Sequence, residues 1–175
     1  MRLPTLLMGL LLTAGNAAAQ PTWHGLALGM SADRAAEIIR AAGSPVFEKP
    51  GKNASREMSF SALGPAELFA TLRFRADRLR AMRIEYYAPD WNPHGTDRRR
   101  CDSLFSEAHA DLALFLRGAA RSVAVREGVT SVRLVRRRRH LTAELVEKSA
   151  ANACAAVFAT LSDGGSLAPP LRPAQ

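Results

Sequence analysis

Apolar residues recur along this chain with two periods. From Ser31 to Gly43 the spacing is helical: Ala35, Ile38, Ile39 and Ala42 fall at i, i+3, i+4 and i+7, with Arg34, Glu37 and Arg40 on the other side. Ser31 is a good N-cap, Asp33 sits in the first turn where the helix dipole favours an acid, and Gly43 with Pro45 supplies the stop. Residues 23–45 therefore predict a strand running into a helix of about twelve residues.

After a Pro, Gly, Lys and Asn-bearing loop at residues 49–55 the period becomes two. Met58 and Phe60 alternate with polar residues, and Leu68, Ala70, Leu72 and Phe74 alternate with Phe69, Thr71, Arg73 and Arg75. Ala76-Asp77-Arg78 turns the chain into a third strand, which puts Met82, Ile84 and Tyr86 on one face and Arg83, Glu85 and Tyr87 on the other. One apolar and one charged face imply a sheet covered on one side only, and the helix stripe is its natural cover.

The pattern then returns in the same order. A helix is expected from about Thr96 to Arg117, with Cys101, Leu104, Phe105, Ala108, Leu112 and Phe115 on its stripe and Gly118 at its end. Strands are expected at residues 122–126, 131–136, 141–146 and 153–161. The fold class expected is α+β, with helices on one face of antiparallel sheet. Two arrangements satisfy it: a tandem of helix-plus-three-strand units over residues 22–88 and 96–162, or one continuous sheet with both helices on one face. Residues 20–162 are expected to form a single domain, and the proline-rich residues 163–175 a disordered tail.

Composition changes the picture at the amino terminus. Arg2, an apolar run from Leu3 to Thr13 with six leucines, and an Ala-x-Ala ending make residues 1–19 a secretory signal peptide, with cleavage after Ala19. The run is shorter than the roughly 20 residues that span a bilayer, and no later segment is apolar enough, so no transmembrane segment is expected. The protein is accordingly read as periplasmic or secreted. Export makes the two cysteines informative: Cys101 and Cys154 are expected to form a disulfide stapling the second helix to the last strand.

Gly29-Met30-Ser31, Gly43-Ser44-Pro45 and the hairpin around Asp77 carry a resemblance over roughly residues 25–87. There the chain resembles the exported modules of the SmpA/OmlA type, which include the outer-membrane assembly lipoprotein and share their shape with beta-lactamase inhibitory protein. The resemblance implies a non-enzymatic protein-binding or scaffold role, with contact through the sheet face and loops. Two features depart from it. Gln20 stands where the assembly lipoproteins carry their lipid-bearing cysteine, and the second half has no counterpart in a single module.

The search for chemistry finds little. His24, His94, His109 and His140 are far apart and form no HExxH, HxxxH or Cys-paired spacing, and GxSxG, SxxK and the phosphate-cradling glycine loops are missing. No catalytic residue, metal site or cofactor is expected. Residues 86–95 are the best local candidate for a binding site, since Tyr86, Tyr87, Trp91 and His94 cluster at a loop between elements. An enzyme with a site at Asp90 to His94 is the alternative. The run Arg136, Arg137, Arg138 and Arg139 is expected to contain a hairpin turn that fans guanidinia into water, because strand alternation would bury one pair of charges. Such a cluster suits an acidic envelope protein, an anionic envelope polymer or an anionic lipid surface; export argues against nucleic acid.

Overall fold

The computed structural model describes residues 21–50, 55–61, 67–87, 98–138, 140–150 and 153–163. The amino-terminal segment, the loop holding Asp90, Trp91 and His94, Arg139 and the carboxy-terminal tail fall outside them.

Alternation does produce strands, eight of them among the described residues. The chain runs α1 (Ala32–Ala41), β1 (Phe47–Pro50), β2 (Ser55–Ser61), β3 (Glu67–Arg75), β4 (Arg78–Tyr87), α2 (Arg98–Asp111), α3 (Ala113–Leu116), β5 (Ala120–Arg126), β6 (Val129–Arg138), β7 (Leu141–Ala150) and β8 (Ala153–Ser162). All eight strands form one sheet in the order β1-β2-β3-β4-β8-β7-β6-β5, every neighbouring pair antiparallel. Each half is a four-stranded meander, and the two halves meet where β4 pairs with β8.

The α+β expectation is thereby corrected. Strand accounts for 57% of the described residues and helix for 23%, so the molecule is predominantly β, an eight-stranded antiparallel sheet carrying a few short helices. Two things moved the balance. Residues 47–50, the last two of them expected in a loop at 49–55, pair with β2, and the long second helix breaks at Leu112, whose backbone leaves helical geometry at φ −103°, ψ 13°. The strand expected before α1 is also absent among the described residues. His24 and Gly25 both take left-handed backbone, φ 47° and 82°, and fold the segment into a tight turn closed by the Trp23–Leu26 bridge.

Register shows why one face of the sheet is dry. Met58, Leu72, Met82, Leu161 and Ala143 stand in one cross-strand row, and Phe60, Ala70, Ile84, Ala159 and Leu145 in the next. These rows are fully buried, in one core with Ala35 and Ile39 of α1, Leu104 and Ala108 of α2, and Leu112 at the break after it. The Ser31 side chain accepts from the Arg34 N–H, and a Schellman-type closure, Ser44 N–H to Ile39 and Gly43 N–H to Arg40, ends α1. Cys101 of α2 and Cys154 of β8 are disulfide-bonded, so the staple expected between second helix and last strand is present. A disulfide marks a chain that folds in an oxidising compartment. Among the described residues no helix is long and apolar enough to cross a membrane.

Candidate functional site

The other face of the sheet has no helix over it among the described residues, and its side chains form a mosaic of charge and aromatic ring. One row reads Phe69, Glu85, Phe158, Val146, Arg133 across β3, β4, β8, β7 and β6. The guanidinium of Arg83 lies 4.1 Å above the Phe158 ring centroid, and the Lys148 ammonium approaches the same ring at 5.8 Å. Val146, between Arg133 and Phe158 in that row, is only 1% exposed. Charges on this face are largely answered by their neighbours. Arg73 pairs with Glu57 at 3.1 Å, Arg83 with Glu85 at 2.7 Å and Arg133 with Glu144 at 2.8 Å. The Tyr87 hydroxyl donates to Glu85 at 2.5 Å. Burial and then that carboxylate raise the Tyr87 pKa far above that of a free phenol.

A second polar cluster lies beneath the helices. Asp111 ends α2, where its charge opposes the helix dipole, and donors from two other elements gather on it. Its Oδ2 accepts from Trp23 Nε1 at 2.7 Å and from the Tyr86 hydroxyl at 2.8 Å, and His24 Nε2 lies 3.0 Å from Oδ1. Tyr86 is buried, and burial, followed by the charge and hydrogen bond of Asp111, raises its pKa so that the phenol stays neutral. The arrangement gathers an indole N–H, an imidazole and a phenol on one carboxylate. What it does is tie the turn at residues 23–26, the end of α2 and strand β4 together. Among the described residues no group of three His, Cys, Asp or Glu side chains is placed to hold a metal ion.

The expected contact residues separate. Tyr86 is a core residue and Tyr87 faces the open side, as neighbours on a strand must. Trp91, His94 and Arg139 fall outside the described residues. At the end of the arginine run the strand closes on the next one, with Arg138 paired to Leu141. Arg136 points to the helix side and donates to the carbonyls of Leu114 and Phe115 at 2.9 and 3.0 Å, satisfying the end of α3, which is a structural duty. Arg137 and Arg138 are exposed.

Position adds what reading the run alone misses. Residues 117–139 hold eight arginines and one acid, Glu127, so this stretch carries +7 of the chain's formal +8. The fold places nearly all of it on β5 and β6, the last two strands of the sheet. The guanidinium groups of Arg117, Arg121, Arg126, Arg137 and Arg138 have no ion-pair or hydrogen-bond partner among the described residues. The central face therefore pairs its own charges, whereas one end of the sheet is an unanswered cationic comb. In comparisons with protein-family models, curated proteins and solved structures, the chain matches none of them.

Proposed function

We propose that this protein is an exported binding or scaffold module of the periplasm that acts by contact with an acidic envelope protein or another anionic envelope component, without chemistry or cofactor of its own. The observation that carries the reading is the segregation of charge: arginines without partners gather at the β5–β6 end of the sheet, while the rest of the molecule is close to neutral. Guanidinia held on a strand pair answer carboxylates and phosphates bidentately, and steer an anionic partner from a distance. The disulfide and the signal-like amino terminus support export. The capping and stop residues of α1, shared with SmpA/OmlA-type modules, support a role by contact.

Photo-crosslinking in cells that export the protein tests this. A crosslinking residue replacing Arg137 is expected to trap an envelope component, and the same residue replacing Ala41 on α1 is expected to trap none. Adducts at Arg137 should vanish when Arg117, Arg121 and Arg126 are changed to glutamate. Equal labelling at both positions, or labelling indifferent to charge reversal, overturns the proposal.

A further inference from the structure

The sheet has two edges, and they are built differently. β1 is four residues long, carries Glu48 and Lys49 and ends in Pro50, three of the devices that stop an edge from pairing. β5, Ala-Arg-Ser-Val-Ala-Val-Arg, is seven residues long, has no proline, and is exposed along its whole length. Its inner side pairs with β6 in unbroken register from Ala120↔Val135 to Arg126↔Val129. Glu127 and Gly128, at φ 52° and 76°, close that hairpin with the paired left-handed residues whose twist matches that of the two strands. On the outer side, alternate N–H and C=O groups have no strand partner among the described residues.

The side chains of β5 define what fits there. The helices stop short of this strand: α2 lies over β7 and β8, and α3 over β6 and β7. Val123 and Val125, on the helix side, are consequently 53% and 67% exposed. Arg121 flanks them on that side, and Arg126 flanks Ser122 and Ala124 on the open side, neither guanidinium with a partner among the described residues. Exposed valines on one side, with a cation near each end of the strand on opposite sides, suit an incoming strand with apolar residues facing the valines and a carboxylate facing each arginine. A second copy fits less well, because pairing β5 with its own image would juxtapose two stretches that each carry +7.

We propose that β5 is a docking edge for an acidic, extended polypeptide segment, which adds to the sheet as a ninth strand and sets carboxylates against Arg121 and Arg126. The inference rests on the contact reading above and names both its surface and its partner chemistry. Backbone pairing would supply affinity, while Val123, Val125 and the two arginines select the sequence.

The test uses the full-length, disulfide-bonded protein and a fluorescent ten-residue peptide that sets valines opposite Val123 and Val125 and glutamates opposite Arg121 and Arg126, followed by anisotropy. Binding is expected, with slowed amide exchange in β5. Methylating the peptide nitrogens along one edge should abolish it, and along the other should leave it intact. Arg121→Glu with Arg126→Glu should weaken it about tenfold, as two exposed ion pairs turned repulsive imply. Binding of polyglutamate or anionic vesicles that equals the peptide's and ignores N-methylation overturns the strand-docking inference and leaves the broader contact reading standing. Loss of all anion binding, by peptide, polyglutamate and vesicles alike, overturns both. Sedimentation showing dimers that dissociate in the Val123→Pro variant would assign β5 to a second copy and refute the acidic partner.

Discussion

At the scale of the residue, Tyr86 shows how one hydrogen bond links packing to pH. Its phenol is buried against Asp111 and stays protonated in the folded chain, whereas an unfolded tyrosine ionises near pH 10. Above that pH the unfolded state binds fewer protons than the folded one, so stability falls as pH rises. Each tyrosine held neutral contributes a slope of about 1.4 kcal/mol per pH unit. Tyr86→Phe is expected to cost about 1 kcal/mol at neutral pH through the lost hydrogen bond, and the gap from wild type should close above pH 10. Urea unfolding at pH 7 to 11 measures both, and a gap that holds constant with pH would remove the argument. Alternation already placed Tyr86 on the apolar face, but nothing local announces Asp111. Its partner Trp23 is 88 positions away, so the hub exists only because folding brings a turn, a helix end and a strand to one point.

At the scale of the element, the start of α1 is held from two sides. Ser31 caps it from within, and Asp77 at the tip of the β3–β4 hairpin accepts from the Ala32 N–H at 3.2 Å. Asp77 and Ala76 both sit in left-handed backbone, φ 55° and 50°, a region an aspartate tolerates better than an alanine does. Asp77→Ala therefore loses a cap and gains strain, and should destabilise the protein by about 1–2 kcal/mol in denaturant titration. A loss equal to that of an exposed surface substitution would show that Ser31 suffices. Ser31, Gly43 and the Ala76-Asp77 turn were legible because capping and turn chemistry are local. Strand β1 was not, since four exposed residues ending in proline carry no apolar alternation. The break at Leu112 was hidden too, because the apolar stripe runs through it to Phe115.

At the scale of the whole molecule, the disulfide joins a helix of the second half to the strand that pairs with the first. It closes a loop of 53 residues, for which chain entropy assigns about 4 kcal/mol of stabilisation. Cys101→Ser with Cys154→Ser should lower stability by that order in thermal unfolding; a variant as stable as wild type would mean that the sheet alone orders α2. Period and capping by themselves determined the helix start, the dry and wet sides of the strands and the pairing of two cysteines, since each depends on neighbours a few residues apart or on there being only one partner. They did not decide that four strands in each half merge into one sheet, that β5 lies at its edge, or that +7 of charge collects there. Strand order is set by which long-range pairings bury the most apolar area at once, and that is a property of the folded chain as a whole.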